Sequence, residues 1–162
     1  LTGLMLGMTL QTRPEEIYRA LIEATAFGTR LIVETFAANG VPVHEIVATG
    51  GLPDRNHLLM QIYADVTGLP IALPDTHQGG ALGSAMHAAV AAGRAAGGYN
   101  SIREAAAAMA RLKTMRCTPD AAAHAAYDAL FAEYVMLHDA FGRGANDVMK
   151  RLKARRLQVK RG

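Results

Sequence analysis

Cysteine is almost absent from this 162-residue sequence, in which Cys117 stands alone. A single cysteine excludes a disulfide within the chain and is typical of a reducing compartment, so we expect a cytoplasmic protein. Long apolar runs are also missing, since none approaches the ~20 residues that a membrane-spanning helix needs. The first residues, Leu1-Thr2-Gly3, include neither an initiating Met nor a basic leader region. We therefore expect no secretory signal, and we expect the chain to be part of a longer protein.

Basic residues are scarce outside the C-terminus, although the formal net charge is +3. Seven of the 17 lysines and arginines lie within 150–162, which has no acidic residue, and the other ten are outnumbered by 14 aspartates and glutamates. We call residues 150–162 the basic tail. Such a tail can contact nucleic acid or anionic lipid, but it is more often a solvated helix end. No aromatic residue interleaves it, which disfavours single-strand binding. We expect no nucleic-acid partner and no membrane partner.

Several motifs that would indicate a particular chemistry are missing. Neither G-x-x-x-x-G-K-[ST] nor G-x-G-x-x-G occurs, which excludes phosphate sites of those two types. The six histidines have no H-E-x-x-H or C-x-x-C context, so we expect no metal site. No Ser-His-Asp or Cys-His set is recognisable, and no carboxylate stands out as a general base. We expect Glu15 to cap a helix, Asp54 to lie in a turn and Asp65 to be solvated.

The sequence does contain a regular alternation of strand-like and helix-like segments. Hydrophobic residues make up 51% of the chain, enough for one domain with a real core. The order β-α-β-α-β-α, followed by helices alone, favours an α/β fold. The predicted strands are 3–10, 45–49 and 70–73. The predicted helices are 12–39, one that follows Gly51 and ends at Gly68, 79–92, 101–112, 120–141 and 145–156. The first of them is predicted to begin at a capping box, Thr12-Arg13-Pro14-Glu15, and to stop at Asn39-Gly40.

Gly50 and Gly51 stand together where the strand 45–49 gives way to a helix. Two interpretations are open. The pair can be a tight strand-to-helix turn, or it can let a flat ligand such as a purine lie against a backbone that has no Cβ atoms. The second agrees with the usual place of ligands in open α/β sheets, at the carboxyl ends of the strands. Asn56 would then pair with a purine edge, although asparagine is also a common helix N-cap.

Three stretches carry a resemblance to a known family. "ATGG" (48–51), "LLMQIYADVTG" (58–68) and "ALGSA" (81–85) together resemble the adenosine-binding signature of the FGGY carbohydrate kinases. Within that family, "YRALIEATAFGTRLIVETF" (18–36), "LHDAFG" (137–142) and the Leu52-Pro53 pair after the glycines look like the L-ribulokinase subfamily. The resemblance covers nearly the whole chain.

The resemblance implies a fold and an activity. The fold would be part of an actin-like ATPase (ribonuclease H-like) domain. The activity would be ATP-dependent phosphorylation of L-ribulose on its 5-hydroxyl, a step of arabinose catabolism, with ATP and Mg²⁺ as cofactors. The family's glycine pair contacts adenosine, which carries over to Gly50 and Gly51. The loop that follows lines the adenine pocket, which here means Leu52, Arg55 and Asn56.

Other parts of the family's active site have no counterpart here. Its catalytic aspartate, sugar site and phosphate-binding hairpins lie upstream of anything matched, so we assign no catalytic residue and no metal ligand, and we expect the chain alone to be inactive. We expect residues 1–100 to be the actin-like nucleotide-binding domain without its first strands, and 101–162 to be a helical extension packed on it. Two alternatives stay open: a non-catalytic actin-like nucleotide-binding module, and a nucleic-acid binder acting through the basic tail. Homo-oligomer formation and the exact pentulose also stay open.

Overall fold

Helices dominate the computed structural model, which describes residues 3–144 and 146–159. In chain order, the α-helices of these residues are α1 (Pro14–Ala38), α2 (Gly51–Arg55), α3 (His57–Thr67), α4 (Gly79–Ala92), α5 (Ile102–Met109), α6 (Ala121–Gly142) and α7 (Val148–Val159). A short 3₁₀ turn, Arg94–Ala96, follows α4. Each predicted helix is present, with ends that differ by at most three residues, except that the helix predicted after Gly51 is divided at Asn56 into α2 and α3. Ala145, where the last helix was predicted to begin, lies outside the described residues, as do Leu1, Thr2 and 160–162.

A small mixed sheet lies among these helices. Its strands are β1 (Ile46–Val47), β2 (Ile71–Pro74) and β3 (Leu112–Cys117), in the spatial order β1-β2-β3. β1 runs parallel to β2, with Ile46 opposite Ile71, and β3 runs antiparallel to β2, with Cys117 opposite Ile71. Residues 71–73 of β2 are all buried, and successive side chains of a strand point to opposite faces. The central strand is therefore covered on both faces, as expected for a buried sheet.

The predicted first strand, 3–10, is wrong. The described residues 3–9 have no regular structure, a turn begins at Leu10, and the large apolar side chains are exposed, with Leu10 fully so. An apolar run becomes a strand only if its backbone groups find a ladder partner, and within the described residues the sheet offers none at this position. The order of elements in the described chain therefore starts with a helix.

β3 lies in the region that was predicted to be helical throughout, so that prediction is also wrong. α5 ends at Met109, and Ala110 already has extended backbone angles. Along β3 only Cys117 is buried, which gives none of the apolar alternation that signals a strand. β2 supplies the hydrogen-bonding partner of β3. The two strands are about 40 residues apart in sequence, so a local pattern cannot predict that they pair.

The first helix begins one residue later than its predicted box. Arg13 is the N-cap, and its backbone N–H donates to Glu16 Oε2 at 2.8 Å, so Glu16 takes the part expected of Glu15. Pro14 is the first helical residue, where its missing N–H costs little. Gly40 then has a φ of +80°, which confirms the predicted stop.

The hydrophobic core is centred on α3, which packs against α1, α6 and the sheet. Ile62 and Val66 of α3 and Ile71 of β2 are the largest side chains that are fully buried. A second part of the core is aromatic: Phe27 of α1 packs edge-on against Tyr127 of α6, with ring centroids 5.9 Å apart. α3 thereby fixes the turn that precedes it, which carries the glycine pair. Among the described residues, no helix combines the length and hydropathy needed to span a bilayer.

Candidate functional site

The glycine pair lies just beyond the carboxyl end of β1, where the chain turns into α2. Gly50 is the N-cap of α2 and has a φ of +114°, a conformation that L-residues with a side chain rarely adopt. Gly51 is the first helical residue and has no such constraint. A Cβ atom built on Gly51 would meet no atom of the described residues within 4 Å. The turn therefore requires glycine at position 50, and position 51 leaves open space beside the backbone.

Three side chains near the pair are exposed, and two of them are apolar. Leu52 is 64% exposed, and Leu58, at the start of α3, is 55% exposed. Arg55, the last residue of α2, is also exposed, and its guanidinium has no ion-pair or hydrogen-bond partner among 3–144 and 146–159. An open backbone with apolar side chains and one cation beside it is a suitable surface for an aromatic, negatively charged ligand.

Asn56 has a structural role that can be read directly. It ends α2 and is the N-cap of α3, where its Oδ1 accepts a hydrogen bond from Leu59 N at 3.0 Å. Of the two roles considered for Asn56, the structure thus shows the helix N-cap. The cap uses the amide oxygen and leaves the Nδ2 group, so it does not compete with a donor role toward a ligand.

The start of α4 lies against the same turn, which the sequence did not reveal. A Cβ atom on Gly79 would come within 1.9 Å of Thr49 Oγ1, so any side chain at this position would require Thr49 to move. The first turn of α4 therefore sits directly beside the residue that precedes the glycine pair. In the sequence, the glycine pair Gly79-Gly80 indicates the start of a helix. It does not indicate that this helix start lies against Thr49.

Asp54 was predicted to lie in a turn, and that is wrong, because it belongs to the helix α2. Its Oδ1 accepts a hydrogen bond from Lys113 Nζ of β3, and its Oδ2 contacts Nδ1 of His77 in the loop before α4. The Lys113 ammonium holds the pKa of the Asp54 carboxyl below its usual value, with a smaller contribution from His77 in the same direction. Sequence reasoning missed this cluster because its members are 23 and 59 residues away from Asp54.

Asp65 was predicted to be solvated, and that is wrong. The side chain is only 8% exposed, and its Oδ1 accepts hydrogen bonds from Gln61 Nε2 at 2.8 Å and from Asp120 N at 2.9 Å. These bonds join α3 to the start of α6. Asp65 is therefore a structural carboxylate and lies away from the glycine turn.

The residues 3–144 and 146–159 contain no group of three or more His, Cys, Asp or Glu side chains placed to hold a metal ion. The pair formed by Cys117 Sγ and His57 Nε2, 3.8 Å apart, is too small a set for one. Burial raises the pKa of the Cys117 thiol, and the Asp65 carboxylate adds to that shift. The described side chains thus supply no group of ligands for Mg²⁺.

Comparison with known proteins identifies the family. Residues 1–92 match the model of the C-terminal domain of the FGGY family of carbohydrate kinases. The chain belongs to the FGGY family. That family assignment and the predicted α/β fold class are both confirmed.

Relatives within the FGGY family cover almost all of this chain. It is 62% identical over 154 residues to a ribulokinase of Halalkalibacterium halodurans and 58% identical over 153 residues to one of Geobacillus thermodenitrificans. These matches cover 95% and 94% of this chain but only 27% of each relative. The chain thus spans about a quarter of the length of the relatives it matches.

A solved structure gives the same assignment at the level of the fold. The crystal structure of a xylulose kinase from Rhodospirillum rubrum superposes with a TM-score of 0.70 at 28% identity, over 86% of this chain and 27% of that one. The strand and helices around the glycine pair therefore belong to a sugar-kinase fold. Kinases of this family use ATP.

Proposed function

We propose that this chain is the adenosine-binding part of an ATP-dependent kinase that phosphorylates L-ribulose on its 5-hydroxyl. The observation that carries the proposal is the glycine pair at the open carboxyl end of β1, in a chain that is 62% identical to a ribulokinase over 154 residues. The place of the pair agrees with the general rule that ligands of α/β sheets bind beyond the carboxyl ends of strands.

In this proposal each residue of the turn has its own task. Gly50 gives the backbone its positive φ, and the missing Cβ of Gly51 lets the purine approach the chain. Leu52 supplies an apolar contact to the ring, and Asn56 donates from Nδ2 to a purine acceptor while its Oδ1 caps α3. The Arg55 guanidinium favours a ligand with negative charge.

The transferred phosphoryl group comes from ATP, and the rest of the machinery lies outside this chain. Phosphoryl transfer depends on positioning of the phosphates and on electrostatic stabilisation by metal ions and cationic groups. The described residues offer no group of three or more possible metal ligands. In this proposal Mg²⁺, the L-ribulose site and the catalytic base belong to other parts of the enzyme. The chain alone is expected to give no turnover in a coupled assay with ATP and L-ribulose, against ~1–100 s⁻¹ for ordinary kinases.

Two further features complete the proposal. The division into a nucleotide-binding part, 1–100, and an extension, 101–162, is retained, although β3 makes the extension mixed rather than purely helical. A cytoplasmic enzyme is supported by the thiol of Cys117, which is free and buried.

The substitution Gly51→Val tests where the nucleotide binds. Because a Cβ at this position meets no described atom, the variant should fold, but its branched side chain would occupy the space of the purine. We expect the affinity for ADP to fall by about tenfold or more, which corresponds to ~1.4 kcal/mol. Titration calorimetry measures the affinity, and circular dichroism checks the fold. Gly142→Val, at the end of α6, is the matched control, since it also has open space and lies far along the chain.

In an intact kinase that contains this sequence, the same variant should raise the KM for ATP and leave the KM for L-ribulose nearly unchanged. A variant that folds normally and keeps its nucleotide affinity would show that the glycine pair is only a turn. The proposed placing of adenosine would then be wrong.

A further inference from the structure

α2, the helix that carries the second glycine, is poorly anchored by packing. It is five residues long, and none of its residues is buried. A single isolated turn of helix is not stable in water, because nucleation fixes several residues for one hydrogen bond. Tertiary contacts must therefore hold α2 in place, and the carboxylate of Asp54 makes the most specific of them.

Three separate segments meet at Asp54. Lys113 Nζ, on β3, donates to its Oδ1, and His77, in the loop before α4, approaches its Oδ2. The side chain of Asp54 is 10% exposed and that of Lys113 is 31% exposed, so the ion pair is partly shielded from water and salt. Lys113 donates the hydrogen bond to Oδ1, and His77 makes a second, ion-pair contact with Oδ2.

The β3 region also anchors the loop before α4, which lies on the other side of the glycine turn from α2. Asp75 N donates to Arg111 O at 2.7 Å, which ties the loop before α4 to the residue preceding β3. That loop leads to Gly79, which abuts Thr49 at the end of β1. Both sides of the glycine turn, α2 and the start of α4, are thus attached to β3.

We propose that Asp54 is a positioning residue that, through its ion pair with Lys113, holds the turn at Gly50–Leu52 in the conformation that accepts a purine nucleotide. The inference rests on the nucleotide placement proposed above. Asp54 itself is not placed in contact with the nucleotide. The pair fixes α2 against β3, and the free backbone beside Gly51 is kept open as a result.

The test is a double-mutant cycle on the chain, with ADP affinity measured by titration calorimetry. Asp54→Asn and Lys113→Met should each weaken ADP binding by about three- to tenfold, the range that the loss of one ordinary intramolecular hydrogen bond produces. The double variant should bind ADP no more weakly than either single variant, because the two substitutions break the same contact. The exchanged pair, Asp54→Lys with Lys113→Asp, should recover affinity. Asp75→Asn is the matched control, since its carboxylate is exposed in the same region and makes no hydrogen bond or ion pair within the described residues.

The readouts separate positioning from loss of fold. In an intact kinase containing this sequence, Asp54→Asn should raise the KM for ATP while kcat and the KM for the sugar stay close to their original values. If Asp54→Asn fails to fold, Lys113→Met tests the same pair from the strand side. Two outcomes would overturn the inference and leave the nucleotide placement intact. One is that the losses of affinity add up in the double variant. The other is that both single variants keep the original ADP affinity while Gly51→Val loses it. Unchanged affinity in Gly51→Val as well would overturn both proposals.

Discussion

Asp65 illustrates, at the scale of a single residue, how a carboxylate is kept inside a hydrophobic core. Its neighbours on α3, Ala64 and Val66, are completely buried, yet its own oxygen accepts two hydrogen bonds. A buried polar group is costly only when such partners are missing. Gln61, one of the donors, also donates to Thr118 O at 2.8 Å. The carboxylate therefore joins α3 to the segment between β3 and α6.

We expect Asp65→Ala to lower the free energy of unfolding of the chain by about 1–3 kcal/mol, because it removes the acceptor of two hydrogen bonds. Asp65→Asn keeps an oxygen at the same place and should lose less. Urea unfolding followed by circular dichroism measures both. Asp75→Ala, an exposed carboxylate on a loop, is the control and should stay within ~0.5 kcal/mol of the original chain. A loss no larger for Asp65→Ala than for the control would contradict the structural role.

At the scale of elements, Asn56 joins two helices of very different stability. α2 has no buried residue, whereas α3 carries six, among them Met60 and Ile62. The cap at Asn56 orients the first turn of α3, and α3 is fixed by the core. The candidate site is thus built on the junction between a rigid helix and a weakly packed one, as is common for binding loops on a rigid scaffold.

The two roles of Asn56 can be separated by substitution. Asn56→Ala should cost about 0.5–2 kcal/mol of stability, because the N-cap is lost. Asn56→Asp keeps the capping oxygen and should be as stable as the original, but it lacks the Nδ2 donor and should bind adenosine more weakly. Adenosine is the appropriate ligand, since it carries no phosphate that the new carboxylate would repel.

Ser101→Ala is the matched control for this experiment. The Oγ atom of Ser101 caps α5 by accepting a hydrogen bond from Glu104 N at 3.2 Å, far along the chain from the glycine turn. It should lower stability and leave adenosine affinity unchanged. If Asn56→Asp binds adenosine as tightly as the original chain, Asn56 is a cap alone and should be removed from the candidate site.

At the scale of the whole molecule, the described part of the basic tail, 150–159, is exposed. Its described part lies on α7, which packs against α6, and Met149 at the start of that helix is buried. Beyond Met149 the described side chains are exposed, and Arg151 pairs with Asp147 on its own helix turn. The described cations of the basic tail are therefore exposed on α7, and Arg55 is the cation that lies beside the glycine pair.

Truncation after Met149 should leave adenosine affinity unchanged and stability nearly so, because the buried methionine is retained and the removed side chains are exposed. Calorimetric titration of the truncated chain with adenosine provides the comparison, and thermal unfolding checks its fold. A loss of affinity of about tenfold or more would show that the tail contributes to the site. Salt-dependent binding to DNA that disappears on truncation would instead support the nucleic-acid alternative.

Short stretches of sequence were enough to predict the helices and the family. The stop at Asn39-Gly40, the cap at Asp120 before α6 and the end of α3 at Gly68, which has a φ of +68°, depend on residues a few positions apart. The same holds for the turn at Gly50. Caps, glycine stops and helical periodicity act over one or two turns of chain, so the sequence by itself determined where these elements lie. The stretches around the glycine pair likewise determined the family.

Tertiary structure alone decided which residues find partners distant in sequence. The apolar run at 3–10 stays irregular and exposed, whereas the polar segment Leu112–Cys117 becomes a strand because β2 lies beside it. Asp65 is buried, and Asp54 meets Lys113, because α3, α2 and β3 are packed together. Ladder pairing, burial and ion pairs depend on the relative placement of whole elements, which arises from the sum of many weak contacts across the core. No short stretch of sequence contains that information.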